Sequence, residues 1–184
     1  MAVEHRPYAP PTRPENRPHP ALPNKLLWII LLKVVGSTTY SNPTPSRYED
    51  KRLGLNNDPN SFHLNNMKLI AEKVFEPLRM HVGGPIKINS FYRGPELNKA
   101  IGGSSKSQHC KGQAIDIDDT YGHASNAAMF SWMRANLEFD QMIWEFGDDE
   151  NPDWVHVSYV SEEENRNRCL KAVRENSRTV YKLI

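Results

Sequence analysis

A regular pattern of hydrophobic and polar positions begins at Ser61. Apolar side chains recur every three or four residues, which is the spacing of one helical face. The positions are Leu64, Met67, Ala71, Val74 and Leu78. The spacing predicts an amphipathic helix with Ser61 as its N-cap and a kink at Pro77, ended by the glycines at 83 and 84.

Shorter elements follow this helix. Proline near the start and glycine beyond the end predict a helix over 95–101, and a third helix is predicted from Ser125. Alternating apolar residues predict strands over 86–89, 113–118, 141–146 and 154–160. Helices come first and short strands cluster late, so we expect an α+β fold in which a small antiparallel sheet is flanked by helices.

The N-terminal region has a different composition. Residues 1–24 hold seven of the fourteen prolines, which predicts an extended arm. The apolar run 26–32 is far shorter than the ~20 residues that cross a bilayer, so we expect no transmembrane segment and read no export signal. This run is either a buried element of the fold or a segment that faces a partner or a membrane surface. We therefore divide the chain into an arm (1–24), a lead-in (25–59) and a main domain with a C-terminal extension (60–184).

Charge and cysteine content narrow the function. With 23 basic and 22 acidic residues the formal net charge is +1, and the sequence has no long basic block. Nucleic acid is therefore not an expected partner. The two cysteines, Cys110 and Cys169, could form one disulfide, and the sequence leaves this open.

Three residues have the chemistry of metal ligands. A catalytic zinc needs three protein ligands and one open position, and His109, Asp116 and His156 meet that count. Asp153 has the character of a general base, and Arg93 is a fixed positive charge for a substrate carbonyl or carboxylate. By spacing alone these signals are weak, since each residue could equally be a hydrogen-bonded surface or turn residue.

Several motifs in order strengthen the metal-site hypothesis. They occupy residues 91–103, 107–109, 112–116, 143–146 and 153–158. Together they resemble the M15 family of zinc D-Ala-D-Ala carboxypeptidases and endolysin-type peptidases, whose fold is shared with the hedgehog signalling domain. The resemblance covers about residues 60–160, is weaker over 40–59, and does not reach the arm.

The resemblance implies a role for each matching position. His109, Asp116 and His156 would bind Zn²⁺, Asp153 would be the catalytic base, and Arg93 would polarise the scissile carbonyl. Three further residues are candidates for contact with the substrate: Ser107, Tyr92 and Trp154. Two alternatives remain open: Trp144 and Trp154 could belong to the sheet core, and Glu145 could be a second carboxylate in the cleft or an outward-facing strand residue.

The implied activity is zinc-assisted hydrolysis of an amide bond in bacterial peptidoglycan stem peptides. The expected place of action is the cell wall, in the periplasm or outside the cell, after delivery in a phage particle or release by phage lysis. In that setting residues 1–32 would contact other virion or assembly proteins. The alternative is a catalytically silent binding module or virion structural part on the same fold.

Overall fold

The computed structural model describes residues 52–184, so the predicted arm and residues 25–51 of the lead-in lie outside the described residues. The described part is an α+β fold, as predicted. Its helices are α1 (Ser61–Ile70), α2 (Glu76–Val82), α3 (Pro95–Ala100) and α4 (Asn126–Asn136). Its strands are β1 (Lys87–Ser90), β2 (Ala114–Asp118), β3 (Gln141–Glu145), β4 (Trp154–Ser158), β5 (Arg168–Glu175) and β6 (Arg178–Leu183).

The predicted long helix is present as two α-helices joined by a π-helical segment. Its N-cap is Asn60 and not the predicted Ser61, because the Asn60 side chain accepts a hydrogen bond from the His63 N–H and the His63 ring accepts one from the Asn60 N–H. The π-helical segment Ala71–Phe75 ends two residues before Pro77. Proline lacks an N–H and its ring crowds the carbonyl four residues earlier, which explains the wider turn at the predicted kink.

The six strands form one sheet in the order β1-β2-β4-β3-β5-β6. All neighbours are antiparallel except β3 and β5, so the sheet is mixed and not purely antiparallel. The chain leaves β4 and crosses over residues 159–167 to the far side of β3. Arg166 anchors this crossing, because its guanidinium donates two hydrogen bonds of 2.7 Å to the buried Asp140 carboxylate.

The first four strands confirm the predicted ones to within two residues at each end, whereas β5 and β6 were not predicted. These two strands form a hairpin closed by Asn176 and Ser177, which both have positive φ angles (48° and 63°). Two such residues make the type I′ turn that suits the twist of a two-residue hairpin. Asn-Ser is a weaker signal for this turn than Asn-Gly, and for that reason the pattern is easy to overlook.

The main hydrophobic core lies between the helices and one face of the sheet. Ile115, Ile117, Val155 and Val157 form the sheet side, and each is at least 99% buried. The helices contribute a facing set of side chains that includes Ile70, Val74, Leu78, Met129 and Met133. Burial of an aliphatic side chain of this size stabilises the fold by about 1.5–3 kcal/mol. Strand residues alternate between faces, so the residues between these apolar positions face the other side.

Two findings complete the description of residues 52–184. Cys110 and Cys169 are both free thiols, and Cys169 is buried in the main core. No helix in this part of the chain has both the length and the apolar character needed to cross a membrane.

Candidate metal centre

His109 is positioned by a tight turn that reverses the chain into β2. A 3₁₀ turn, Gln108–Lys111, ends at Gly112, whose φ is +69°. A Cβ at residue 112 would lie 2.6 Å from the backbone oxygen of His63, so both the conformation and the close approach require glycine. The turn leaves the His109 side chain 1% exposed, beneath the face of β2 opposite the main core.

Asp116 and His156 meet across neighbouring strands. They are paired in the antiparallel register of β2 and β4, so their side chains project from the same face. His156 Nδ1 lies 2.9 Å from Asp116 Oδ1, and His109 Nε2 lies 3.2 Å from each of these atoms. The three residues form one cluster, which we call the His109–Asp116–His156 cluster.

The protonation of the cluster suits a divalent cation. His109 Nδ1 lies 2.6 Å from the Phe91 carbonyl oxygen, which accepts a hydrogen bond from the Nδ1–H and leaves Nε2 free to bind metal. Burial lowers the pKa of His109 and keeps this imidazole neutral at neutral pH. Burial alone would raise the pKa of Asp116, but its electrostatic interactions and hydrogen bonds with the two histidines outweigh burial and hold the pKa well below its usual range.

The geometry also fits a single ion. One ligand atom from each residue lies within 4.8 Å of the others. Ligand atoms about 2.0–2.2 Å from a tetrahedral zinc are about 3.3–3.6 Å apart, close to the distances found in the cluster. Two imidazoles and a carboxylate are a donor set that zinc accepts. The residues present therefore fit a zinc ion with three protein ligands.

Arg93 lies beside the cluster. Its backbone N–H donates to the His109 carbonyl oxygen over 3.2 Å, and its charge acts on the pKa of both His109 and Glu145. Its Nε atom is buried and has no hydrogen-bond partner within the described residues. A buried guanidinium nitrogen without an acceptor destabilises the fold. A missing acceptor is expected where the arginine binds substrate or water.

Ser107 lies at the start of the turn that carries His109. It precedes the 3₁₀ turn, is half-buried, and its backbone oxygen accepts from the Cys110 N–H over 3.1 Å. The structure therefore places Ser107 near His109 along the chain. Its contact with substrate stays a prediction.

Asp153, the predicted general base, and Glu145, the possible second carboxylate of the cleft, differ in position. Asp153 is exposed in the connection between β3 and β4, where its backbone N–H donates to the Glu145 carbonyl oxygen over 3.0 Å. Glu145 is only 8% exposed, and its pairing with Trp154 places it on the same face as His156. The structure thus favours the cleft alternative for Glu145, while the role of Asp153 stays a prediction.

Electrostatics also connect Glu145 with the cluster. Burial raises its pKa to about 7, with smaller effects from His156, Asp116 and Arg93. A bound divalent cation would lower this pKa again, because a nearby positive charge favours the ionised carboxylate. The alternation in β3 alone could not assign Glu145 to a face, since that depends on the register with β4.

The aromatic candidates separate into two groups. Trp144 packs against the main core, as does Tyr92, which is 9% exposed and stacks on His63 with ring centroids 4.5 Å apart. Trp154 lies on the face of the cluster and contacts Phe146 edge-on, with ring centroids 5.5 Å apart. The core alternative therefore holds for Trp144, and Trp154 is placed beside the candidate site.

A buried set of two imidazoles and a carboxylate on one face of an α+β sheet, with an arginine beside it, is a donor set that suits a metal-dependent hydrolase. The family described as Peptidase M15 matches residues 44–158. This match spans more than half of the chain, and the protein belongs to the peptidase M15 family. No curated protein matches the chain.

Proposed function

We propose that this M15 peptidase is zinc-dependent and hydrolyses an amide bond in the stem peptides of bacterial peptidoglycan. The observation that carries the proposal is the convergence of the His109–Asp116–His156 cluster, with its ligand atoms within 4.8 Å of one another. The family membership supports peptide hydrolysis, and the neutral His109 imidazole beside the ionised Asp116 carboxylate supports a divalent cation.

His109 Nε2, Asp116 Oδ1 and His156 Nδ1 would hold the metal. When bound, zinc supplies Lewis acidity that polarises a carbonyl and lowers the pKa of a coordinated water to roughly 7. The backbone carbonyl of Phe91 supports this role, because it fixes the tautomer and orientation of the His109 ring.

Arg93 would bind the carbonyl or carboxylate of the peptide. Its unpartnered Nε and its place beside His109 support this role. A guanidinium in a partly buried site stabilises negative charge that develops on the carbonyl oxygen as the amide bond is attacked. This contact would also orient the peptide relative to the cluster.

A carboxylate must accept the proton of the attacking water and return it to the leaving amine. The sequence resemblance assigns this role to Asp153, whereas burial and orientation toward the cluster favour Glu145. Two isosteric variants separate them. We expect Glu145→Gln to abolish cleavage with zinc still bound and Asp153→Asn to retain most activity; the opposite result would return the role to Asp153.

The central test uses the full chain and purified peptidoglycan. Metal content is measured by elemental analysis, because nickel or cobalt can occupy the same donor set. Released fragments are identified by mass spectrometry before chelation, after chelation and after zinc is restored. We expect cleavage that chelation removes and zinc restores. Cleavage that is insensitive to complete metal removal contradicts the proposal, and zinc-loaded protein that binds peptidoglycan without cleaving it supports the silent binding module.

The proposed substrate places the site of action at the cell wall. Phage delivery or lysis would bring the enzyme there, and residues 1–32 would then contact other proteins of the particle. Removal of residues 1–24 tests whether the N-terminal residues serve assembly while the rest of the chain performs cleavage. Cleavage should be retained while assembly weakens, and loss of cleavage from a particle that still assembles would contradict it.

A further inference from the structure

The hairpin of β5 and β6 lies beyond the residues that match the peptidase family, which end at Ser158. It is nevertheless part of the same sheet, because β5 pairs with β3 over five residues from Gln141↔Arg168 to Glu145↔Ala172. Leu170 and Ala172 are buried with Ile143 in a second small hydrophobic cluster. The hairpin is thus fixed beside the strand that carries Glu145.

The register places Tyr181 in line with Glu145. Trp154 pairs with Glu145, Glu145 with Ala172, and Ala172 with Tyr181. Paired residues share a face, so this transverse line lies on the same side of the sheet as Asp116 and His156. Neighbouring strands are about 4.8 Å apart, which puts the Tyr181 backbone roughly 10 Å from that of Glu145. Only the small Ala172 side chain lies between them.

The electrostatics of Tyr181 agree with a side chain directed toward the cluster. Burial raises its pKa, and the carboxylates of Glu145 and Asp116 raise it further. The phenol therefore keeps its proton at neutral pH and is a hydrogen-bond donor. Tyr181 is also 52% exposed, so a ligand can reach it.

The same hairpin presents an exposed cation on this face, at Arg174, two residues beyond Ala172 along β5. The Arg174 guanidinium lies 4.9 Å from the centroid of the Phe146 ring, which in turn contacts Trp154. Phe146 has a φ of 54°, a conformation that a bulky residue rarely adopts, and this backbone places its ring between the two partners. Arg174 is exposed, and this stacking leaves the nitrogen edge of its guanidinium open to an acceptor.

We propose that the β5–β6 hairpin is a wall of the substrate cleft, in which Tyr181 donates a hydrogen bond to the bound peptide near Glu145 and Arg174 binds a carboxylate of that peptide. The proposal rests on the proposed peptidase function and deepens it, since it assigns an acidic peptide as the ligand. The hairpin is then a specificity element supplied from outside the family match, and Tyr181 and Arg174 are positioning residues for the substrate.

The test compares three variants of the full chain. Tyr181→Phe removes only the hydroxyl, and Arg174→Gln removes only the charge. Arg178→Gln is the matched control, because Arg178 is an exposed arginine of the same hairpin whose register places it on the opposite face from Tyr181. The ligands are soluble muropeptides with free carboxylates and the same muropeptides with those carboxylates amidated. Circular dichroism and zinc content establish that each variant is folded.

Binding is measured by calorimetry on metal-free protein, so the result does not depend on cleavage. We expect Tyr181→Phe to weaken binding of both ligands about five- to tenfold. We expect Arg174→Gln to weaken binding of the free-carboxylate ligand about two- to fivefold and to leave the amidated ligand unchanged. Arg178→Gln should bind as the wild type does. With zinc present, the losses should appear in KM while kcat changes little.

The outcomes separate this proposal from the peptidase function. If the wild type cleaves muropeptides and all variants bind equally, the hairpin does not contact the substrate and the peptidase function is retained. If the variants differ as expected but zinc-loaded wild type cleaves nothing, the peptidase function is wrong and the hairpin is a peptide-binding surface. A zinc-loaded wild type that neither binds nor cleaves muropeptides overturns both.

Discussion

The two faces of β2 perform opposite tasks with adjacent residues. Ile115 and Ile117 point into the main core, where each is at least 99% buried among apolar side chains. Asp116, between them, points to the other face and contacts His109 and His156 within 3.2 Å. The apolar face favours folding, whereas the polar face places a carboxylate and two imidazoles where burial is unfavourable. Because side chains of a strand alternate between its faces, residues that stabilise the core and residues that form the candidate metal site occupy alternate positions of β2.

The largest effect should come from the polar face. Asp116→Asn keeps the shape of the side chain but removes the negative charge that a divalent cation requires. We expect zinc content well below that of the wild type and peptidoglycan cleavage reduced more than a hundredfold or so, measured by elemental analysis and fragment release. Full zinc occupancy with wild-type cleavage would show that the cluster is not the metal site.

The adjacent apolar position should respond in the opposite way. Ile115→Ala leaves a cavity in the main core and should lower the free energy of unfolding by about 2–5 kcal/mol, measured by denaturant titration. The folded fraction should still bind one zinc ion and cleave peptidoglycan, because the cluster lies on the other face. If the folded variant loses its metal, the two faces are not independent.

The smallest expected effect is on the pH dependence of folding stability, and it comes from Glu145, the buried carboxylate on the polar face. The pKa of Glu145 is raised from 4.5 to about 7 in the folded, metal-free protein, so the folded state retains a proton that the unfolded state has lost. Protonated Glu145 therefore adds to the free energy of unfolding of the metal-free protein at low pH. This contribution, roughly 2–3 kcal/mol at most, is lost as pH rises from about 4.5 to 7. Zinc should reduce this loss by lowering the pKa.

Other groups titrate in the same range, so the wild type must be compared with Glu145→Gln. The pKa of His109 is lowered by burial, and its contribution runs the other way, since stability is lost as pH falls through the usual range of histidine. The difference in unfolding free energy between the two proteins at each pH isolates Glu145. A difference that does not change between pH 4.5 and 7 would contradict its raised pKa.

Local patterns predicted much of the apolar face. The periodicity from Leu64 to Leu78 predicted the long helix, and Ser125 was found as the N-cap of α4 through its bond from the Ala128 N–H. The cluster was reached through resemblance to a family, because spacing cannot bring His109, Asp116 and His156 together without knowledge of strand order. The structure supplies that order by pairing β2 with β4.

Local sequence patterns could not predict the β5–β6 hairpin or the face that Glu145 occupies, for a physical reason. β5 is covered on both faces, so Cys169 and Leu170 are both buried and the strand lacks a clean alternation. The face occupied by Glu145 depends on register, and a shift of one residue would turn it to the other side. The π-helical segment was likewise found only in part, since Pro77 predicts a kink but not its form.

The parallel pairing of β3 with β5 has a consequence for biosynthesis. During translation, β3 can join β4 as soon as Ser158 has left the ribosome, but its other edge stays open until residues 168–175 have emerged. An unpaired interior strand is a template for association with other chains. The nascent protein thus exposes this edge to association while the crossing segment is synthesised, and a chaperone that shields the edge would act during that interval.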